Sequence, residues 1–179
     1  MPLAPFLLAV LFALALVEAV VRRQRLADYP QFRRDAATGY EPRPHSSGLM
    51  RNRFRWAFNA LGLRMDHDRP ADAGSVLLVG DSVVEPGAHV DQADTLGARL
   101  EALCGAPVYP AGSGGWALGN ELAFVAARPQ LLAAGTVVWL INSGDLVATN
   151  DWDNALTQPL RGPRLHSVYL GLRMAERVR

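Results

Sequence analysis

The chain has 179 residues, half of them hydrophobic, and a formal net charge of +1. This length is enough for one domain with a hydrophobic core and a short appendage. The near-neutral charge, without a basic and aromatic-rich stretch, argues against a nucleic-acid-binding protein. Cys104 is the single cysteine, so an internal disulfide is excluded, and no Cys/His spacing typical of a metal site occurs. We therefore expect a buried structural thiol at Cys104 and neither a metal nor another cofactor.

The first 25 residues predict a membrane anchor. Residues 2–21 are apolar except for Glu18, close to the roughly 20 residues that a membrane-spanning helix needs. Three arginines follow between residues 22 and 25. A cleaved signal peptide is the alternative, but no Lys or Arg precedes the apolar stretch, so we expect an uncleaved single-pass helix. The arginines that follow the helix would place the domain in the cytoplasm by the positive-inside rule.

Residues 26–70 predict a linker or edge segment. They are rich in Arg, Pro and Asp, and the prolines in residues 40–45 favour extended backbone. The alternation of Phe54, Trp56 and Phe58 fits a strand with one buried face. An ordinary β-hairpin arm explains the same residues equally well.

Residues 71–179 predict an α/β domain. Three apolar runs are each typical of a buried parallel strand, and each is followed by a polar loop that contains glycine. These runs are residues 76–79, 108–109 and 136–141. The helical stretches are residues 94–103, 120–134 and 165–178. Because strands and helices alternate, we expect a parallel sheet whose polar loops gather at one edge.

Local signals set the expected helix boundaries. Asp94 is a suitable N-cap for the first helical stretch, and Gly105 should end it. Pro129 should interrupt or bend the second stretch, because proline removes a backbone hydrogen bond.

The sequence around Ser82 is the main functional signal. Residues 75–82 read Ser-Val-Leu-Leu-Val-Gly-Asp-Ser, an apolar run that ends in a glycine turn. Ser82 therefore lies at the carboxyl end of a predicted strand, where open α/β sheets hold their ligands. Gly80 is expected to adopt backbone angles that other residues avoid, which would let the chain turn sharply. The plainer interpretation is that Asp81 and Ser82 only cap the following segment.

Residues 79–82, Val-Gly-Asp-Ser, resemble the first motif block of the SGNH (GDSL-type) esterases, whose serine is the nucleophile. Residues 59–64, Asn-Ala-Leu-Gly-Leu-Arg, resemble the Asn-x-x-Gly-x-Arg segment that precedes the catalytic domain in many membrane-anchored members of that family. The resemblance covers residues 59–179. It implies a three-layer sandwich with a flavodoxin-like parallel sheet after a transmembrane helix. It also implies a domain outside the cytoplasmic membrane, which we prefer over the cytoplasmic side.

The same resemblance implies donors for an oxyanion. The Ser82 N–H would be one donor. Residues 110–116 form a glycine-rich loop at the place of the second family block, and Gly115 matches the glycine whose N–H is another donor. Pro110 stands where the family has an asparagine. A flexible turn is the plainer interpretation of this loop.

The third family block, Gly-x-Asn-Asp, corresponds to residues 142–145, which read Asn-Ser-Gly-Asp. Gly144 then occupies the position of the family asparagine, whose side chain is the third donor. Asn142 would have to replace it through a different loop path. The loss of one such donor typically lowers the rate about 100- to 1000-fold.

The family base lies in a late Asp-x-x-His block, and this chain contains no such sequence. Its histidines are His45, His67, His89 and His166. His166 lies in a segment that resembles one found well before the catalytic histidine of longer relatives, so we interpret it as a structural or surface histidine.

Three functions follow from these signals. The first is a membrane-anchored hydrolase that acts on carbohydrate O-acyl or lipid esters through Ser82, with the membrane and a small-molecule or glycan ester as partners. The second is a non-catalytic SGNH-like binding module. The third is an inactive relative whose domain is incomplete at its carboxyl end.

Overall fold

The computed structural model describes residues 3–146 and 149–176 of the chain. Within these residues the protein is a mixed α/β structure. The α-helices are α1 (Leu3–Arg23), α2 (Leu96–Cys104), α3 (Leu118–Ala126) and α4 (His166–Glu176). The strands are β1 (Phe32–Asp35), β2 (Gly39–Pro42), β3 (Ser46–Met50), β4 (Phe54–Phe58), β5 (Val76–Gly80), β6 (Val108–Gly112) and β7 (Thr136–Trp139).

A three-stranded parallel sheet, with the strand order β6-β5-β7, forms the centre of the domain. The apolar run in β5 is buried, as its composition predicts. Its side chains alternate between two clusters, because successive residues of a strand point to opposite faces. Leu77 and Val79 pack with Phe124 of α3, whereas Leu78 packs with Leu100 of α2. The parallel sheet predicted from the sequence is thus confirmed, and its carboxyl ends meet at one edge.

The strand β7 is less covered than its apolar sequence predicts. It ends at Trp139 rather than at residue 141, and Val137 is 49% exposed. It lies at the edge of the sheet, where within the described residues it pairs on the β5 side. The other edge strand, β6, is buried because α2 and α3 pack against it, whereas β7 is packed less against these helices. The expectation of a fully buried third strand is therefore wrong.

Two antiparallel hairpins, β1-β2 and β3-β4, occupy much of the segment predicted as a linker or edge segment. Trp56 and Phe58 are buried and Phe54 is half-buried, which confirms the alternation predicted for β4. The first hairpin is joined to the domain by a buried ion pair, in which Arg128 donates to Glu41 at 2.7 Å. The hairpin residues are thus part of the packed structure.

The helix α2 begins and ends with local caps. The Thr95 hydroxyl accepts the Ala98 N–H, so Thr95 is the N-cap, whereas the predicted Asp94 lies in the preceding 3-10 turn. Gly105 ends the helix with a φ of +65°, as predicted. Cys104 is exposed, which corrects the expected buried thiol. It lies in the last turn of a surface helix that buries only Gly97.

The predicted second helical stretch divides at Pro129. The helix α3 ends at Ala126, and a 3-10 turn spans Pro129–Ala133. Proline at the start of this turn has no N–H to continue the helical pattern.

The apolar helix α1 has 21 residues and is largely exposed. It is long and apolar enough to span a membrane, and a signal sequence has the same properties. Its Glu18 carboxylate accepts hydrogen bonds from the His166 N–H at 2.9 Å and from the Ser167 N–H at 2.8 Å. Glu18 therefore caps the amino end of α4 and connects the two helices.

Replacing Glu41 tests whether the buried ion pair stabilises the first hairpin. In Glu41→Leu the Arg128 guanidinium stays buried without its carboxylate, a change that typically costs about 3–5 kcal/mol. We expect a loss of that order in the free energy of unfolding, measured by chemical denaturation of the full chain in detergent. Arg33 also binds Glu41 but its side chain is 46% exposed, so Arg33→Met should cost less than about 1 kcal/mol. Equal losses in the two variants would contradict this account.

Candidate functional site

The turn that carries Ser82 folds back over the ends of β5 and β6. Gly80 and Gly112 are paired at these ends. A methyl group at either glycine would lie only 2.8 Å from a carbon of the Val84 side chain, which is fully buried there. Gly80 does not adopt a positive φ, so its role is to leave space for Val84, not to supply the unusual backbone angles predicted for it. The result is a tight turn that exposes Ser82 above the sheet edge.

Asp81 closes this turn by local hydrogen bonds. Its carbonyl accepts the N–H groups of Val84 at 3.1 Å and Glu85 at 3.0 Å. Its carboxylate accepts the Val83 N–H at 2.9 Å. Within the described residues, the Ser82 hydroxyl has no hydrogen-bond partner. The capping interpretation therefore fits Asp81, while the Ser82 hydroxyl is left available for a ligand.

The loop after this turn is held by Arg64. The Arg64 side chain is buried and pairs with the buried Glu85 carboxylate at 2.9 Å. It also donates to the carbonyl groups of Gly87 and Val90. Upstream, the Asn59 side chain accepts two backbone N–H groups and fixes the bend that leads to Arg64. The Asn-x-x-Gly-x-Arg segment thus has a structural role: it fixes the loop that follows Ser82.

The glycine-rich loop lies beside Ser82. A methyl group at Gly114 would lie 3.9 Å from the Ser82 Cβ atom. The Tyr40 hydroxyl donates to the Gly114 carbonyl at 2.8 Å. Burial, with a smaller effect of the Asp153 charge, raises the pKa of Tyr40 to about 12, so this hydroxyl keeps its proton at neutral pH. Tyr40 therefore anchors the loop to the first hairpin.

Gly115 is held from two sides. Its backbone has a φ of +83°, which strongly favours glycine. A methyl group there would lie 2.9 Å from the Tyr40 hydroxyl, and the Asn150 side chain donates to the Gly115 carbonyl at 2.6 Å. The buried Asn120 side chain holds Asn150 in turn. Glycine is therefore strongly favoured at position 115, and its predicted role as an oxyanion donor stays a prediction.

The third loop places Asn142 next to Asp81. Its amide nitrogen donates to the Asp81 carboxylate at 3.2 Å and to the Asp145 carboxylate at 3.1 Å. Its amide oxygen accepts the Gly144 N–H at 2.7 Å and caps the 3-10 turn that follows. Both amide hydrogens of Asn142 are thus directed at carboxylates. Its predicted role as an oxyanion donor would require the side chain to turn.

A buried carboxyl group, Glu121, lies behind these loops. One of its oxygens accepts the Trp139 indole N–H at 2.5 Å, and the other has no partner within the described residues. Burial raises the pKa of Glu121, the Trp139 hydrogen bond offsets part of the rise, and the charges of Asp145 and Asp81 add to it. Nothing in the local sequence distinguishes Glu121 from an exposed helical glutamate, so it was not predicted.

Ser82 and His89 line the same cavity, which has a volume of about 240 Å³. The Tyr29 ring packs edge-to-face against the His89 ring, with centroids 5.9 Å apart. The other lining residues include Phe32, Glu85, Gly114, Gln158 and Arg173. The other three histidines, His45, His67 and His166, do not line it, and neither do Gly115 and Asn142. The structure thus places one of the four histidines in the lining of the cavity that Ser82 also lines.

Among the described residues, no group of three His, Cys, Asp or Glu side chains is arranged to hold a metal ion. No protein-family model matches the chain, and no curated protein does.

Alanine at position 115 should destabilise the glycine loop. The left-handed backbone costs a non-glycine residue about 1–2 kcal/mol, and the contact with Tyr40 adds to this. We expect a lower melting temperature for Gly115→Ala and little change for Gly114→Ala, which meets its neighbours at ordinary contact distance. Thermal unfolding of the full chain in detergent compares them. Similar melting temperatures for both variants would show that position 115 is unconstrained.

Glu121 should make stability depend on pH. Because the native pKa lies above the ordinary value of 4.5, folding favours the protonated form. This contribution is present at low pH and is lost as the pH rises through the native pKa. Glu121→Gln removes it, so the stability of the variant relative to the original chain should increase as the pH rises above 4.5.

The check is the melting temperature of each variant across that pH range. The exposed Glu176→Gln is the matched control and should follow the original chain. A pH-independent difference for Glu121→Gln would contradict a raised pKa.

Proposed function

We propose that this chain is a membrane-anchored SGNH-type hydrolase that cleaves carbohydrate O-acyl or lipid esters with Ser82 as its nucleophile. One observation carries the proposal: Ser82 is exposed at the carboxyl end of the central strand and shares a cavity with a histidine. The Val-Gly-Asp-Ser sequence of residues 79–82 gives the family resemblance. The helix α1 would be the anchor, with the domain outside the cytoplasmic membrane.

The arrangement of helices supports the finer description of the fold. Phe124 of α3 and Leu100 of α2 belong to the clusters on opposite sides of β5. Helices on both faces of a parallel sheet are the arrangement of three-layer, flavodoxin-like domains. The SGNH fold is of this kind, so the packing supports the proposal.

In the proposed reaction the Ser82 hydroxyl attacks the acyl carbon and transfers its proton to His89. The ester C–O bond breaks, and the proton passes from His89 to the leaving alcohol. Water then hydrolyses the acyl-serine, which releases the acid and restores the serine. The Ser82 N–H would stabilise the oxyanion at each step. The Gly115 N–H, the second predicted donor, would have to reach the oxyanion from a residue that does not line this cavity.

A non-catalytic binding module is the second candidate, and the Asn142 loop favours it. Both amide hydrogens of Asn142 are engaged by Asp81 and Asp145. With the family asparagine position occupied by Gly144, a hydrolase would have to work with one donor fewer. Such a loss typically costs about 100- to 1000-fold in rate.

Hydrolysis of p-nitrophenyl acetate by the full chain in detergent separates these candidates. We expect an activity that Ser82→Ala reduces to the rate of the detergent buffer, because the variant has no nucleophile. The control is Ser47→Ala, which removes an exposed serine of β3 and should retain the activity. Equal background rates in all three proteins would favour the binding module.

His89 should contribute as the base. Loss of a positioned acid–base group typically lowers the rate about 10²- to 10⁴-fold, so we expect a loss of that size for His89→Gln. The loss should fall on kcat with KM little changed, because a base acts in the transition state. His45→Gln, in an exposed turn, is the control. An unchanged kcat in His89→Gln would exclude this role.

A further inference from the structure

The helix α4 has an exposed face without a charged residue. Its members follow helical spacing and share one side: Leu165, the residue before α4, and Val168, Gly171, Leu172 and Ala175 of α4. Val168 and Leu172 are each 53% exposed. A methyl group at Gly171 would have no atom within 4 Å, so this face is open. We call these five residues the α4 apolar face.

The opposite side of α4 contacts the domain. The Tyr169 hydroxyl donates to the Leu156 carbonyl at 2.9 Å. The Arg173 guanidinium lies 4.0 Å above the Tyr29 ring and lines the Ser82 cavity. These contacts fix the rotation of α4 about its axis, so the α4 apolar face points away from the domain.

The amino end of α4 is fixed to α1. Glu18 caps α4, and Arg22 donates to the Arg164 carbonyl at 2.5 Å. A helix of 21 residues is about 31 Å long, close to the hydrocarbon thickness of about 30 Å. Glu18 precedes the end of α1 at Arg23 by about 7.5 Å along the axis. If α1 spans the bilayer, α4 therefore begins where α1 leaves the hydrocarbon.

We infer that α4 is an interfacial helix. The α4 apolar face lies in the surface of the bilayer that α1 spans, on the side where α1 ends. Arg23 and Arg164 are exposed at this junction, and Arg161 lines a pocket with His166 of α4. These arginines can face anionic lipid headgroups. Interfacial helices place their apolar face about 5–10 Å into the headgroup and acyl boundary. The inference rests on the proposed anchoring by α1, but not on catalysis by Ser82.

The test uses the full chain with Cys104→Ser, reconstituted in phosphatidylcholine–phosphatidylglycerol vesicles. A fluorescent label is placed on a new cysteine in Leu172→Cys, in Met174→Cys and in Leu11→Cys. Met174 is exposed on another side of α4 and is the matched control, whereas Leu11 reports the anchor. Lipids with a nitroxide near the headgroup, or deep in the acyl chain, quench labels at the corresponding depth.

We expect shallow nitroxides to quench the label at position 172 at least about twofold more than the label at position 174. Nitroxides deep in the acyl chain should quench the label at position 11. Equal shallow quenching at 172 and 174, with position 11 quenched, overturns the inference and leaves the anchor intact. If the label at position 11 is not quenched, α1 does not span the bilayer, and the inference that rests on this anchor is overturned as well. A label at 172 shielded from both lipid nitroxide and aqueous iodide would show that protein covers this face, which also overturns the inference.

A charge on the α4 apolar face gives a second measurement. With the label in Val168→Cys, the additional change Leu172→Asp should reduce shallow quenching to the level measured at position 174. Met174→Asp in the same labelled chain should leave it unchanged. Equal effects of the two aspartates would overturn the inference, because only one of them lies on that face.

Discussion

The close approach of Val84 to the ends of β5 and β6 is the constraint on which the rest of the site depends. Gly80 and Gly112 are paired across the two strands, and neither can carry a side chain without meeting Val84. This packing fixes where the turn after β5 crosses the sheet, and it exposes Ser82. The Arg64–Glu85 ion pair then sets the path of the following loop, which brings His89 to the same cavity.

The amino-terminal hairpins stabilise the site rather than only connecting the helix α1 to the domain. Tyr40 of the first hairpin binds the glycine loop, and Glu41 of the same hairpin binds Arg128. Arg64, which follows β4, holds the loop after Ser82. The helix α4 completes the cavity with Arg173 and is capped by Glu18 of α1. If the α4 apolar face lies in the bilayer, the cavity is close to the membrane surface, where a lipid or membrane-linked ester is available.

The sequence predicts those parts of the structure that depend on local pattern. The apolar run of β5, the alternation in β4 and the Gly105 helix end are all local signals, and the structure confirms them. The same signals place Ser82 at the sheet edge. Local signals do not predict the exposure of β7, because the burial of its side chains depends on which elements pack beside the strand.

The remaining features depend on contacts between distant residues. Tyr40 and Gly114 are 74 positions apart in the chain, and Arg128 and Glu41 are 87 positions apart. No local sequence pattern therefore predicts either contact. Glu121 is buried by the same tertiary packing, and the exposure of Cys104 follows from the surface position of α2. The oxyanion roles of Gly115 and Asn142 stay predictions, because they concern a bound substrate.

The most direct test of the central claim is covalent labelling of the full chain with a fluorophosphonate, followed by mass spectrometry of its peptides. A fluorophosphonate reacts with a serine that is activated as a nucleophile. The account expects one adduct, on Ser82, that is absent from Ser82→Ala and reduced in His89→Gln. A folded chain that carries no adduct, or carries it on another serine, would contradict Ser82 as the nucleophile.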